Sequence, residues 1–310
     1  MNILKRRYLF FGISLLVILP GLILLAIYGA PLSIDFTSGS TLELGFASGN
    51  LPPTTDVLGV LERFGIQDAE VRTTADNTLL VRAAFLEEAE SETAVTENLL
   101  TMMEGEFNDD VSILRYDNVG PTIGQQVTQR AALAVGIAAL AVVIYITMAF
   151  RKVPHAFRYG ICAIIAMVHD VAVVFSVVAI GARLLGWQMD ALFLTALLTV
   201  IGFSVQDKIV VFDRIRENTT SLRRLPFETL ANHSIVQTLQ RSINTQLMTV
   251  EFMLLALALF GGVTLREFAI ILLVGLFSGT YSSIFIAAPI LVLWENREWK
   301  NWFRRKEAAA

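Results

Sequence analysis

Val200-Ile201-Gly202-Phe203-Ser204-Val205-Gln206-Asp207-Lys208-Ile209-Val210-Val211-Phe212-Asp213-Arg214-Ile215-Arg216-Glu217-Asn218 sets a carboxylate, Asp207, inside a run that otherwise reads as a lipid-facing helix. Insertion scales price an aspartate at a membrane-helix centre at about +2.5 to +3.5 kcal/mol, so this residue needs a compensating role. The surrounding chain supports the membrane reading. Of 310 residues, 55% are hydrophobic and only 17% charged, against about a quarter charged in soluble domains. The mean hydropathy is +0.61.

A helix crosses the hydrocarbon core with about 20 apolar residues. Runs of that kind are expected at 9–29, 129–150, 157–181, 190–212, 247–268 and 270–294, giving six transmembrane helices. The first run is longer than a signal-peptide core of roughly 7–15 residues and shows no clear small-residue cleavage site, so it reads as an uncleaved signal-anchor. Lys/Arg positions set the orientation. Lys5, Arg6, Arg7, Arg151, Lys152, Arg158, Arg214, Arg216, Arg223, Arg224, Arg241, Arg297, Lys300, Arg304, Arg305 and Lys306 all fall in flanks that six crossings place on one side. Both termini are therefore expected in the cytoplasm, with 30–128 outside.

That external segment is acidic, with seventeen Asp/Glu against four Lys/Arg over 30–129, which suits a solvated surface. Thr41-Leu42-Glu43-Leu44-Gly45-Phe46 alternates as a half-buried strand does. Val57, Val60, Leu61 and Phe64 have helical spacing, closed by Gly65. Two short β runs, 70–73 and 78–82, flank Ala75-Asp76-Asn77 as a hairpin. Residues 88–106 carry Val95, Leu99, Leu100, Met102 and Met103 among acids and predict an amphipathic helix; 111–116 predicts a last strand. The order β-α-β-β-α-β predicts an α+β ferredoxin-like domain, a docking module in character. The expected layout is 1–29 (cytoplasmic N-terminus and first helix), 30–128 (external domain), 129–296 (helices two to six) and 297–310 (basic tail).

Chemistry of other kinds finds little support. The single cysteine, Cys162, lies in an apolar run, so neither a disulfide framework nor Cys/His metal spacing is present. The sequence shows no phosphate-binding glycine loop, no catalytic constellation and no nucleic-acid patch. The expectation is a non-enzyme with no cofactor and no metal.

Several short elements carry a resemblance. Asp35-Phe36-Thr37-Ser38-Gly39, after the first span, resembles the DFTGG signature of SecD and SecF proteins. Val119-Gly120-Pro121-Thr122-Ile123-Gly124, before the second, resembles their VGPxxG element. His169-Asp170 resembles the HD pair usual on the SecF side. Gly202-Phe203-Ser204 with Asp207, and Val210 through Asn218, resemble the fourth-span signature. The chain is thus identified as resembling the SecD/SecF family, within the RND superfamily, over nearly its whole length. Its length and single external domain favour the SecF branch. Three positions depart from the pattern. Ser38 stands where glycine is usual, a replacement open to serine if φ is not positive. Gln206 stands for asparagine, and Lys208 for serine or threonine.

The resemblance implies a bacterial cytoplasmic-membrane subunit that uses the proton motive force to promote preprotein translocation. Its implied partners are SecD, the SecYEG channel, YajC, YidC, unfolded preprotein and the bilayer. It also implies Asp207 as proton carrier and Arg241 as its basic partner, with Asp170 and His169 as further members of the path. Six spans form half of an RND-like bundle, hence the expected SecD partner.

From the residues themselves, Ser204, Asp207, Val211 and Arg214 lie along one stripe. Asp207 is six residues before Asp213, about 9 Å inside the membrane edge. Ser204 or a group on a facing helix is expected to donate to it. A structural ion pair with Lys208 or Arg214 is the competing role; Lys208 either snorkels outward or turns in. For His169 packing is the alternative, and for Asp213, Arg214, Arg216 and Glu217 it is anchoring at the membrane edge. Asp35, Phe36, Thr37, Gly39, Gly120 and Pro121 flank the external domain as candidate hinges. Gly275 and Gly279 form a GxxxG, with Ser278, Ser282 and Ser283 nearby, for close helix contact within the chain or with a partner, and Trp294, Trp299 and Trp302 fit an interfacial belt. A half-sized RND exporter of lipids or drugs and a passive translocon scaffold are the alternative functions.

Overall fold

The structure is a computed structural model describing residues 3–66, 69–74, 77–84, 92–151, 156–246, 252–261 and 263–298. Ala75, Asp76, the side chain of Val95, Trp299, Trp302, Lys152 and the basic tail lie outside the described residues. The chain divides into two units, 1–29 with 134–180 and 192–310, and 30–133 with 181–191.

In the second unit the strands are β1 (Gly39–Phe46), β2 (Glu70–Thr73), β3 (Leu79–Ala83) and β4 (Val111–Val119). They form one sheet in the order β2-β3-β1-β4, every neighbouring pair antiparallel. Between the strands run α3 (Thr54–Arg63) and α4 (Glu92–Phe107); the four-residue α2 (Ile34–Thr37) precedes β1. The alternation read in β1 buries Leu42, Leu44 and Phe46. They join Leu79 and Val81 of β3, Val57, Val60 and Leu61 of α3, and Leu99 and Met103 of α4 in one core. A β-bulge between Glu43 and Leu44 shifts the β1–β4 register.

The two motif segments flanking this sheet lie side by side. Gly39 pairs with Val119 across β1 and β4, and Thr128 donates to the Phe36 carbonyl at 2.9 Å. A Cβ added at Gly124 would come within 3.0 Å of the Ser38 nitrogen. Asp35 accepts from the Ala191 N–H at 3.0 Å, at the first residue of α7 (Ala191–Ser221). A carboxylate is favoured there by the unpaired N–H groups of a helix start. Arg82 donates to the Leu32 carbonyl at 2.9 Å and to the Thr37 hydroxyl.

Ser38 does not meet the condition for an unstrained serine. It has φ +62° and ψ 161°, in a region that essentially only glycine visits without strain. Serine there occupies a glycine conformation.

The first unit is helical. Among the described residues, five helices are long and apolar enough to cross a membrane: Leu4–Tyr28, Pro121–Phe150, Ala156–Leu184, Ala191–Ser221 and Leu265–Glu295. They contain α1 (Arg7–Tyr28), α5 (Pro121–Phe150), α6 (Ala156–Leu184) and α7, and a last helix whose parts are α10 (Val263–Ser282), a π-turn (Ser283–Ala287) and α11 (Ala288–Glu295). Pro121 starts α5, where its missing N–H costs nothing. The expected break between spans five and six falls earlier than 270, because α10 already begins at Val263. The fifth expected span is described only from Phe252, as α9 (Phe252–Phe260), and 247–251 lie outside the described residues.

Residues flanking several of these helices meet at one end of this unit. Arg7, before α1, pairs with Glu298, after α11, at 2.6 Å and with Glu228 at 3.5 Å. Arg158, before α6, pairs with Glu295 at 2.6 Å.

Because Ser38 is held in a glycine region, Ser38→Gly should raise the stability of the full chain by about 1 kcal/mol. Chemical denaturation in detergent, followed by protease susceptibility of the sheet unit, checks this. A loss of stability contradicts the strain.

Candidate functional site

Asp170 and Lys208 meet in the interior of the helical unit with both side chains at 0% exposure, Nζ lying 2.7 Å from Oδ2. Asp170 comes from α6 and Lys208 from α7. The hydroxyls of Ser204 and Ser282 donate to the same Oδ2 at 2.7 Å each. Ser278 donates to Oδ1 at 2.7 Å. Lys208 Nζ also reaches the Ser204 carbonyl at 3.2 Å and the Ser204 hydroxyl. A buried ion pair is tolerable only when its remaining lone pairs and protons are satisfied, and here serines do this.

Helical spacing explains the set. Ser204 and Lys208 are one turn apart on α7 and face the same neighbour. On α10, Gly275, Ser278, Gly279 and Ser282 make a stripe of small residues along one face. A Cβ added at Gly275 would collide with the Val200 side chain, and one at Gly279 would lie 3.3 Å from the Ser204 Cα. The GxxxG contact is therefore made inside the chain, between α10 and α7. Close approach through small residues is what lets short hydroxyls reach Asp170.

Asp207, 7% exposed, turns from this pair to different partners. It accepts from Ser242 at 2.9 Å and from Ser283 at 2.7 Å. Ser242 belongs to α8 (Phe227–Gln246), and Ser283 opens the π-turn. Adjacent serines, 282 and 283, thus serve different carboxylates, as the roughly 100° step between neighbouring helix residues allows. The π-turn lies just before Pro289, which has no N–H for the Phe285 carbonyl and crowds it. π-turns of this kind recur at functional sites.

One expectation is corrected, that of Arg241, and two open alternatives are decided. Arg241 lies within α8 with its side chain exposed; the hydroxyl of its neighbour Ser242 reaches Asp207 in its place. Ser204 donates to Asp170 and not to Asp207. Lys208 neither snorkels nor pairs with Asp207; it turns inward to Asp170, and Arg214 bonds Glu217 and Gln237.

His169 approaches Asp170 Oδ1 with Nδ1 at 3.1 Å and stacks on Tyr281 with ring centroids 6.1 Å apart. Its Nε2 is buried without a partner among the described residues. Asp213, Arg214, Arg216 and Glu217 form two pairs, Arg216–Asp213 and Arg214–Glu217, each at i,i+3 and partly exposed. Asn218 donates to Ser234 at 2.8 Å, so this end of α7 is fastened to α8. Among the described residues no group of His, Cys, Asp and Glu could hold a metal ion, and Cys162 is buried and free.

Ser242 was missed from sequence, and Ser283 was read only as a small residue beside the GxxxG. The available signal was a four-residue spacing in α8, where Leu230, Ser234, Thr238, Ser242 and Gln246 make one buried stripe. The polar half of that stripe hides it from a search for apolar periodicity.

These features define a polytopic, membrane-type helical protein that seals an ionisable serine-rich cluster between its helices. The family described as protein export membrane protein SecD/SecF, C-terminal, matches residues 99–297. A protein translocase subunit SecF of Anaerolinea thermophila is 68% identical over 98% of this chain and 97% of its own length. That of Thermobaculum terrenum is 45% identical over 100% and 98%. The crystal structure of a Thermus SecDF, described as a translocon-associated membrane protein, superposes with a TM-score of 0.81 at 32% identity, covering 96% of this chain and 39% of that one. The chain belongs to the SecD/SecF family of protein export membrane proteins.

Removing one member of the sealed pair leaves a buried charge unmatched. Lys208→Met should destabilise by about 3–5 kcal/mol, and Asp170→Asn in the same chain should recover part of that loss. A double-mutant cycle on unfolding in detergent checks the coupling; additive losses mean that the pair is not coupled.

Proposed function

We propose that this chain is a SecF-type accessory subunit of the bacterial Sec translocon, promoting preprotein translocation across the cytoplasmic membrane with energy from the proton gradient. The translocation reading rests on the relatives named protein translocase subunit SecF. The match to 39% of a SecDF chain supports SecD as the partner that completes the bundle, beside the SecYEG channel. YajC and YidC are further partners in this reading.

The proposed layout has six spans, the remaining crossing supplied by the apolar run from 247 up to the start of α10, with both termini cytoplasmic. The split β-α-β-β-α-β sheet is a ferredoxin-like external domain that engages preprotein. Asp35, Phe36, Thr37 and Gly39 with Gly120 and Pro121 transmit motion to it; their side-by-side packing supports this.

One observation carries the proton reading: Asp207 is buried at a junction of α7, α8 and the π-turn, bonded by two neutral hydroxyls. Intramembrane carboxylates so placed mark proton and ion paths. Asp170 is bonded by an ammonium and three hydroxyls and is the fixed charge of the site; Asp207 has acceptor capacity left for a proton. His169 borders Asp170 and shapes its surroundings. Movement at the π-turn would carry the Ser283 hydroxyl on or off Asp207 and link protonation to helix position. The α7 edge pairs hold this end of the helix at the interface.

Asp207→Asn keeps the volume and cannot carry the proton. In inverted vesicles with the cell's own SecD, it should reduce gradient-stimulated export at least about tenfold, the scale of one lost proton-transfer group, with the complex still assembled. Unchanged gradient dependence would indicate a passive scaffold.

A further inference from the structure

The ammonium of Lys208 lies among oxygens of three kinds: the Asp170 carboxylate at 2.7 Å, the Ser204 carbonyl at 3.2 Å, and the Ser204 hydroxyl. The Ser282 hydroxyl lies 2.7 Å from the same carboxylate oxygen. Carboxylate, carbonyl and hydroxyl oxygens are the ligands that hard, spherical cations take. No apolar atom is needed to hold the ammonium; every bond it makes would serve a bare ion as well. The shell holds one carboxylate, since Asp207 faces Ser242 and Ser283. One positive charge therefore balances it, and a divalent ion would leave an excess buried charge.

We propose that the Asp170 carboxylate and the carbonyl and hydroxyl of Ser204 form a binding site for a monovalent alkali cation, with the Ser282 hydroxyl holding the carboxylate in place, and that in this chain the site is permanently filled by the tethered ammonium of Lys208. Lys208 is sealed at 0% exposure, so its stem plugs the cage from within α7. The native chain is closed to free alkali ions at this position. Truncating the lysine leaves the oxygen shell, empties its centre and opens the cage to a free ion. The methionine of Lys208→Met would fill the space without charge and keep the cage shut. The inference goes beyond the export reading and does not depend on it.

The test reads binding, not export. The full-length native chain, Lys208→Ala, Lys208→Met and the double variant Asp170→Asn/Lys208→Ala are purified in detergent. Thermal unfolding midpoints are recorded in lithium, sodium, potassium and choline chloride at equal ionic strength. Ligands that bind only the folded state raise the midpoint in a saturable way. Lys208→Ala should gain on the order of 5 °C in at least one alkali salt over choline, and the salt series identifies the preferred ion. The native chain, Lys208→Met and the double variant should not distinguish the salts. The inference is overturned if Lys208→Ala has the same midpoint in all four salts or remains unfolded in all four. It is equally overturned if the double variant responds as the single one does, because the site would then not need Asp170.

Discussion

Lys208 and Asp170, 2.7 Å apart and both excluded from solvent, cross-link α6 to α7 where a misplaced charge costs most. Moving either ion alone from water to an apolar interior carries a penalty of several kcal/mol. The pair is sustainable only because Ser204, Ser278 and Ser282 complete the bonding of the carboxylate. Those serines reach it only because α10 runs close to α7 through Gly275 and Gly279. Small residues, short hydroxyls and one sealed ion pair are thus a single construction. A larger side chain at Gly275 would push α10 away and leave the charges underbonded.

The last helix links this construction to the second carboxylate. Ser282 bonds Asp170 and Ser283 bonds Asp207, at the point where α10 passes into a π-turn. The turn has a local cause in Pro289, which removes a helix donor. A helix loosened at that point can change the register of its two hydroxyls with less disturbance than a regular one. The two carboxylates are therefore served by neighbouring hydroxyls of one helix while differing in their partners: one holds an ammonium, the other only hydroxyls.

Much of the local architecture was legible from sequence. The period-two run at Thr41–Phe46, the helical spacing of Val57, Val60 and Leu61, and five of the six long apolar runs became the expected elements among the described residues, because strand and helix patterns record which face each residue buries. The grouping of Arg7, Arg158, Glu228, Glu295 and Glu298 at one end also agrees with the charge bias of the loops. Whether Ser38 takes a positive φ was left open by the sequence, because φ is set by how the chain enters β1, which side-chain type alone does not reveal. The last span begins earlier than its hydropathy suggested, since Arg266 interrupts the apolar signal without interrupting the helix.

Composition and periodicity marked a membrane-type chain whose helices are interrupted by a small αβ sheet unit, and singled out Asp207 and Lys208 as charges that need partners. Tertiary structure alone decided who those partners are. Lys208 is adjacent to Asp207 in sequence yet bonds Asp170, 38 residues away. Arg241 was the expected partner of Asp207, but Ser242 takes that place. The reason is angular. Neighbouring helix residues point about 100° apart, so adjacent charges face different helices. Which helix lies in each direction depends on where glycine and serine permit close approach, and that is a property of the packed bundle.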